Sequence, residues 1–511
     1  MKTDHSCNTG RCPLMNRRCF LKSVGITAAA THMGLFEKMS EVFGSPDSGA
    51  GKPKVRVAFM RPDVDKYWLG WPGASYDIKA REKQYSDILT KASQECGVDL
   101  SFETRPICGS DREKAFLSNL KQNPPDGIIL VTTNCHHTDE HGKIIKEIDV
   151  WHDTTDICRN RGTIPTIVFS PMGTSFTNHL NMTRGIPNVF TAATQDLNWL
   201  SYGIRMLRTI YDMKQSRICI IRGDKTEDIT VNQFGTTLHY IPKESFANTF
   251  NKTEITDEMR QIAEYYTREA KMIVEPSQED ILIAAKNYMV IRRIMEQEKC
   301  NGFSMDCMSP IGIHRMKPPC VAMSRLQDEG MVGACEADWC AAISQRLTNL
   351  LFGLPGFIQD PAPKTVNNTL IGAHCTSPTK LNGVNNPHET FNIRSHSESA
   401  MGAAFQVIWK PGQRVTVMKI TELADMYPFS EQYFSPRPYS DLGVIVGTGT
   451  VVDNIDTPPA GGCRTSVEIA MDNCEDVRDI KGFHQLFIYG DLLRQFKAYC
   501  ELAGIPCESI V

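Results

Sequence analysis

The sequence predicts an α/β protein with two Rossmann-like, parallel-sheet domains, followed by a mostly antiparallel, barrel-like C-terminal domain. Strand-like and helix-like segments alternate over residues 54–182, and the alternation resumes near Asn188. From about Lys364 onward, strand-like segments follow one another with turn residues such as Pro411 and Gly412 between them. The first pattern is typical of parallel sheets covered by helices, and the second is typical of antiparallel sheets and barrels.

The length of 511 residues is enough for about three domains of ordinary size. We expect four regions: a twin-arginine signal and linker (1–53), an N-terminal α/β domain (54–182), a second α/β domain with the acidic site residues (183–362), and a β-rich domain with two site histidines (363–511).

Periodicity and turn residues predict the elements of each domain. In the first domain they are strands 55–59, 98–102, 127–131 and 166–169, helices 79–95 and 111–123, and a helix near Ile145. In the second they are helices 197–214, 279–298 and 338–352 and strands 217–221, 302–305 and 330–335, with Asp338 as an N-cap and Gly353 as a stop. In the third they are strands 369–373, 403–409, 415–420, 442–446, 466–471 and 483–489 and a helix 492–503.

The N-terminus has the pattern of a twin-arginine export signal. The paired Arg17 and Arg18 are followed by Phe20-Leu21-Lys22 and then by a mildly apolar stretch over 23–34. We expect export to the periplasm or another extracytoplasmic space, or a cytoplasmic location if the signal is not used. A basic disordered tail is the alternative interpretation.

Composition excludes several classes of partner. The formal net charge of −4 and the absence of a basic stripe argue against nucleic acid. No apolar run after the N-terminus approaches the roughly 20 residues that cross a bilayer, so we expect no stable membrane insertion. The 18 cysteines are scattered, and the sequence assigns no disulfide.

Two acidic and two histidine side chains are the candidate site residues. Asp306 and Glu336 follow strands of the second domain, where parallel sheets bind ligands, and His374 and His484 belong to strands of the third domain. Two carboxylates and two imidazoles suit Mn²⁺, with Mg²⁺ or Co²⁺ as alternatives. Such an ion polarises a sugar carbonyl, and Asp306 and Glu336 would then move protons between C1 and C2 through an enediol. Taken singly, each acid could be a helix-cap charge and each histidine an ordinary strand residue.

The segment from Leu326-Gln327-Asp328-Glu329-Gly330 to Cys335-Glu336-Ala337-Asp338-Trp339 resembles the L-arabinose isomerase pattern Leu-Met-x-Glu-Gly followed by Gly-Glu-Gly-Asp-Trp. Leu370-Ile371-Gly372-Ala373-His374 and Gly482-Phe483-His484 resemble the metal-ligand segments of the same superfamily, which also contains L-fucose isomerase.

The resemblance implies an aldose–ketose isomerase with a small sugar substrate, a divalent metal and a trimeric or hexameric homo-oligomer. It implies that Glu336 is a metal ligand and acid/base residue, and that Asp306, His374 and His484 complete the ligand set. Asp306 stands where arabinose isomerases carry Glu, so the chain resembles a divergent, fucose isomerase-like member.

Further residues are candidate substrate contacts. His136 and His137 follow the strand 127–131, Trp68 and Trp71 can stack on a sugar ring, and His314 lies downstream of Asp306. Two other functions stay open. The same metal and acids could serve a lyase, an epimerase or a glycoside-cleaving enzyme on a modified sugar, and two α/β domains around a cleft could form a non-catalytic, exported sugar-binding protein.

Overall fold

A five-stranded parallel sheet forms the centre of the N-terminal part of the chain. The computed structural model describes residues 51–63, 66–69, 74–138, 144–148, 150–171, 173–308, 316–423, 442–455 and 463–511, with the backbone alone for 66–69, 74–76, 135–138 and 144–148. The strands of this part are β1 Lys54–Met60, β2 Lys66–Leu69, β3 Ala74–Asp77, β4 Asp99–Phe102, β5 Gly127–Thr132, β6 Cys135–Thr138, β7 Ile144–Ile148, β8 Thr166–Pro171 and β9 Val189–Thr194. The helices are α1 Ile78–Cys96, α2 Ser110–Gln122, α3 Val150–Asn160 and α4 Thr177–Thr183.

The first sheet has the strand order β4-β1-β5-β8-β9, and all its pairs are parallel. Strands β5 and β8 are buried at every residue, as central strands of a helix-covered parallel sheet are. A separate antiparallel sheet has the order β3-β2-β6-β7. The helix predicted near Ile145 is wrong, because those residues form β7 and pair with β6, and the helix α3 begins only at Val150.

A second five-stranded sheet follows. Its part of the chain contains strands β10 Arg217–Ile221, β11 Glu227–Val231, β12 Thr236–Ile241, β13 Gly302–Met305 and β14 Val332–Ala334. It also contains helices α5 Asn198–Gln215, α6 Glu244–Lys252, α7 Asp257–Glu269, α8 Gln278–Gln297, α9 Cys320–Asp328 and α10 Trp339–Phe352. The order is β11-β12-β10-β13-β14, with only β11 antiparallel to its neighbour. The predicted strand 302–305 and the predicted helix 338–352 are confirmed, with Asp338 as the N-cap of α10 and Gly353, at φ 64°, as its left-handed C-cap.

The C-terminal part is a closed barrel. Its elements are β15 Phe357–Lys364, β16 Thr369–His374, β17 Phe391–Arg394, β18 Ala404–Val407, β19 Arg414–Glu422, β20 Leu442–Asn454, β21 Thr465–Met471, β22 Gln485–Tyr489, α11 Leu493–Ala503 and β23 Cys507–Ser509. The strand order is β19-β22-β15-β16-β21-β20, and the sheet closes into a barrel because β20 also pairs with β19. Strand β23 pairs in parallel with β20. The predicted fold class is therefore confirmed.

One apolar core joins the second sheet to the barrel. The same buried cluster contains Phe303 and Met305 of β13 and Phe357 and Phe487 of the barrel. Because large aromatic and aliphatic side chains each contribute roughly 1.5–3 kcal/mol when fully buried, this shared core holds the carboxyl ends of β13 and β14 against the barrel.

The predicted domain boundaries after residues 182 and 362 remain predictions. By sheet membership, β9 still belongs to the first sheet and β15 already belongs to the barrel. None of the described helices has the length and apolar character of a membrane span.

Candidate metal centre

The turn that follows β14 carries Glu336. Strand β14 ends at Ala334, and the backbone N–H of Ala337 donates to the carbonyl of Met305 at 3.0 Å, which ties the turn to the end of β13. The carboxylate of Asp338 then caps α10 by accepting from the N–H of Ala341 at 2.8 Å. Glu336 is therefore held between a strand end and a helix start, the usual place for a ligand-binding side chain in a parallel sheet.

Three adjacent barrel strands bring the other side chains together. Asp360 of β15 pairs with Ala373 of β16, which places it beside His374. Gln359 of β15 pairs with Gln485 of β22, and His484 directly precedes that strand. The antiparallel register therefore juxtaposes one carboxylate and two imidazoles at one end of the barrel.

The side chains from the turn and the barrel converge. Glu336 Oε1 lies 3.6 Å from His374 Nε2, Glu336 Oε2 lies 3.5 Å from His484 Nε2, and Asp360 Oδ1 lies 3.2 Å from His484 Nε2. The ligand atoms of Asp360, His374 and His484 all lie within 4.8 Å of one another. Atoms that bind one ion at about 2.0–2.2 Å are roughly 3–3.5 Å apart, so this spacing fits a single small cation.

Three of these atoms lack the hydrogen bonds that buried polar atoms normally make. His374 Nε2, His484 Nε2 and Asp360 Oδ1 are each buried without a hydrogen-bond partner among the described residues. An unsatisfied buried polar group costs about 1–3 kcal/mol. Three such atoms facing one point are the arrangement that a bound cation would satisfy.

A buried ion pair orients His484. Its Nδ1 lies 2.9 Å from Asp338 Oδ2, and Lys419 Nζ donates to the same Asp338 oxygen at 2.7 Å and to the carbonyl of Phe483 at 2.5 Å. With its Nδ1–H donated to Asp338, the imidazole presents the lone pair of Nε2 to the site. Carboxylates that hold histidine ligands in this way are common around metal ions.

The site has an electrostatic preference for positive charge. Burial opposes protonation of His374, but Glu336 and Asp360 raise its pKa to about 9. Burial alone would raise the pKa values of Glu336 and Asp360, yet the neighbouring histidines lower both below their ordinary values. Burial also opposes protonation of His484, whereas Asp338 raises its pKa. The cluster therefore attracts protons, and a metal cation can replace them.

Asp306 is a predicted ligand that lies outside both groups of potential metal-binding side chains found among the described residues. Its backbone N–H donates to the carbonyl of Ile221. Asp360 lies on a barrel strand whose register places it beside both histidines. Asp306 directly follows β13, and its role as a ligand stays a prediction.

A second, overlapping group contains a thiol. The ligand atoms of Cys335, Glu336 and His374 also lie within 4.8 Å of one another. The predicted ligand set does not contain Cys335, and the sequence analysis also missed Asp360 and Lys419. The Gly-Glu-Gly-Asp-Trp resemblance located Glu336 and Asp338, but no local signal marked Asp360 or Lys419.

Only some of the residues predicted to contact the substrate belong to the part of the chain that the structure describes. Trp68 of β2 pairs with His136 of β6, so the structure places these two positions side by side on the backbone, and His137 follows on β6. Trp71 and His314 lie outside the described residues, as do Arg17 and Arg18. The roles of all these residues stay predictions.

Comparison with known proteins gives one informative match. Residues 205–352 match the family model of the L-arabinose isomerase central domain, a segment that includes Glu336 and ends with α10. No curated protein matches the chain.

Matching solved structures include two sugar-transport proteins. One is the periplasmic component of an ABC-type sugar transport system from Hahella chejuensis, at 13% identity and TM-score 0.17, covering 58% of this chain and 94% of that chain. The other is the sugar-binding protein of a sugar ABC transporter from Bacillus halodurans, at 13% identity and TM-score 0.15, covering 60% and 89%. TM-scores this low support no conclusion. Residues 205–352 are therefore similar to the central domain of L-arabinose isomerase.

Proposed function

We propose that this protein is a divalent-metal-dependent isomerase that interconverts an aldose and a ketose. The observation that carries the proposal is the clustering of Asp360, His374 and His484, whose ligand atoms lie within 4.8 Å of one another and include three buried, unpartnered atoms. Glu336 lies 3.6 Å from His374 Nε2 and 3.5 Å from His484 Nε2. The match of residues 205–352 to the L-arabinose isomerase central domain supports the same reaction class.

The donor atoms of this site fit a divalent cation. Carboxylate oxygens and imidazole nitrogens suit Mn²⁺, the ion we expect, and also Mg²⁺ or Co²⁺. When bound, such a cation would polarise the sugar carbonyl and lower the pKa of the neighbouring hydroxyl and C–H groups. Glu336, Asp360, His374 and His484 would hold it.

We propose that Glu336 and Asp360 transfer the protons of the reaction. Their lowered pKa values keep both carboxylates ionised at neutral pH, as a base that removes a proton from carbon must be. One carboxylate would take the proton from C1 or C2 and return it to the neighbouring carbon, while the other would move the hydroxyl proton. Lys419 and Asp338 would keep the His484 ring in place during these transfers.

The decisive experiment compares Asp360→Asn with Asp306→Asn. Chelator-treated protein is reloaded with Mn²⁺, Mg²⁺ or Co²⁺ and assayed on a panel of aldoses and ketoses that includes L-arabinose and L-fucose. Asp360→Asn should lower kcat by about 10²–10⁴-fold, the usual contribution of a general acid or base, and should reduce the bound metal measured by plasma mass spectrometry. Asp306→Asn should retain most of the activity.

The matched control is Asp224→Asn, because Asp224 is 82% exposed and outside the site. Full activity of Asp360→Asn, or turnover by chelated protein equal to that of the loaded protein, would refute the proposal. Product NMR in D₂O separates isomerisation, which can introduce deuterium at the receiving carbon, from lyase, epimerase or glycoside-cleaving reactions.

The finer assignments are also proposals. We propose a divergent, fucose isomerase-like enzyme that is exported through its paired arginines and assembles as a trimer or hexamer. An Arg17→Lys, Arg18→Lys variant should accumulate inside the cell, and native mass spectrometry of the wild-type protein should give three or six copies. Fractionation that leaves both proteins in the same compartment would refute the export route.

A further inference from the structure

Two cysteine sulfurs lie almost in bonding range beside the candidate metal centre. Cys307 Sγ and Cys335 Sγ are 3.2 Å apart, and both residues are buried, at 7% and 4% exposure. A disulfide bond needs about 2.05 Å between the sulfurs. The two sulfurs would therefore have to approach by roughly 1 Å for the bond to form.

The sheet register brings the two cysteines together. Ser304 of β13 pairs with Ala334 of β14, the last residue of that strand. Cys335 directly follows β14, and Cys307 lies two residues beyond the end of β13. Both cysteines therefore lie just past the carboxyl ends of paired parallel strands.

We propose that Cys307 and Cys335 form an oxidation site that peroxides convert reversibly to a disulfide. The sulfur of one thiol attacks the peroxide O–O bond and becomes a sulfenic acid, releasing water or an alcohol. The second sulfur attacks the sulfenic sulfur, and a second water leaves as the S–S bond forms. Two thiols lose two electrons in total, the peroxide gains them, and both S–H protons end in the released molecules.

A small oxidant suits this location. The Glu336 side chain next to Cys335 is 21% exposed, so the cluster is in contact with solvent although the sulfurs are nearly covered. The bond would fix the residue that immediately precedes Glu336, whose backbone is in the left-handed region at φ 59°.

A second thiol arrangement close to the site has a different geometry. Cys375 Sγ lies 3.6 Å from Ser397 Oγ, and Ser397 Oγ lies 3.5 Å from Cys463 Sγ, so a hydroxyl contacts both sulfurs. Cys375 and Cys463 also interact with each other, so they form a second thiol pair that peptide mapping must distinguish from Cys307 and Cys335.

The test maps the bond in the full chain. Reduced protein is freed of reductant, treated with stoichiometric hydrogen peroxide and quenched with catalase. The remaining thiols are then blocked with iodoacetamide, and the protein is digested without reductant for mass spectrometry. The expected result is a loss of two alkylatable thiols and one linked pair of peptides that contain Cys307 and Cys335, released by dithiothreitol.

Cys307→Ala should abolish the linked pair of peptides and leave a sulfenic acid on Cys335, which dimedone labels. Circular dichroism checks that this variant is folded. Cys158→Ala removes a buried cysteine of α3 far along the chain from the pair and should keep the link. Alkylation of both Cys307 and Cys335 after peroxide treatment of the wild-type protein would overturn the proposal. A link from Cys307 to another cysteine, or one that appears only in guanidinium, would also overturn it.

Discussion

At the scale of single residues, the candidate site is built on an unusual backbone. Glu336, Ala337 and His484 have φ values of 59°, 55° and 52°, in the left-handed region that favours glycine. A residue with a Cβ atom pays roughly 1–2 kcal/mol for this conformation. Such strain persists where the surrounding structure enforces it, and it is concentrated at functional sites.

Replacing Ala337 by glycine should stabilise the protein. Glycine relieves the left-handed strain of about 1–2 kcal/mol, and the greater freedom of the unfolded chain takes back about 0.4–1 kcal/mol. We expect a net gain of up to about 1.6 kcal/mol in the free energy of unfolding, measured by urea denaturation. Ala334→Gly, in the adjacent strand β14, should instead lose stability, and a loss of stability in both variants would contradict the argument.

Removal of the buried charge of Lys419 should strongly destabilise the protein. Its side chain is fully buried and its pair with Asp338 has exposures of 0% and 2%. In Lys419→Met, Asp338 keeps a buried charge without its cation, which typically costs about 3–5 kcal/mol. Lys243→Met is the matched control, since its pair with Asp224 is 3.7 Å long and largely exposed. Equal urea midpoints for the two variants would disprove the role of the buried pair.

The sequence predicted part of this residue-scale picture. Asp338 was expected to cap α10 and does so with Oδ1. Its second oxygen binds His484, which is 146 positions away, and Lys419, which is 81 positions away. Partners at such distances along the chain depend on barrel register, which no local pattern encodes, and so the role of Lys419 could not be foreseen.

At the scale of elements, β15 explains why Asp360 was missed. The strand contains Pro361 and Pro363, and prolines normally argue against a strand inside a sheet. In the structure, β15 pairs with β22 only over residues 357–359 and with β16 over residues 360–364. The prolines therefore lie where the strand has a single paired neighbour. By contrast, strands such as β10 and β13 have no such interruption and were predicted with their observed bounds.

Gly372 should tolerate no side chain. A Cβ atom at this position of β16 would lie 2.3 Å from a ring carbon of Phe487 and 2.8 Å from Gln359 Oε1. Overpacking of this kind typically costs about 1–3 kcal/mol. Gly372→Ala should therefore lower the unfolding free energy and, by displacing β15 from β16, weaken metal binding in a titration.

The control for this substitution is Gly51→Ala, whose Cβ would closely approach only the hydroxyl end of Tyr211 at 2.7 Å. That side-chain end can move, so we expect little change in stability. A Gly372→Ala protein that binds metal and unfolds like the wild type would show that the strand packing is looser than described.

At the scale of the whole molecule, a buried acid links three neighbouring strands of the barrel. Glu468 of β21 accepts hydrogen bonds from Thr369 at 2.6 Å and Lys364 at 2.8 Å, and so fastens the β15–β16 hairpin to the rest of the ring. Burial raises its pKa, but these hydrogen bonds outweigh burial and hold the pKa below its ordinary value.

Glu468 should make the protein sensitive to acid. Because the folded pKa is depressed, its contribution is fully present above the unfolded value of about 4.3 and is lost as pH falls through the folded value. Glu468→Gln should cost about 1–3 kcal/mol at pH 7, the usual worth of hydrogen bonds to a charged group, and less at pH 3. Urea denaturation at both pH values measures the difference in unfolding free energy between Glu468→Gln and the wild-type protein. A difference that is as large at pH 3 as at pH 7 would contradict this assignment.

The position of β22 between β19 and β15 has a consequence for biosynthesis. His484 directly precedes the strand that is inserted between two strands made much earlier, so the ring can close only after that strand has been synthesised. A nascent chain that already displays Glu336, Asp360 and His374 still lacks the fourth donor. Cation capture is therefore tied to completion of the fold, and prematurely terminated products would be unable to sequester the ion.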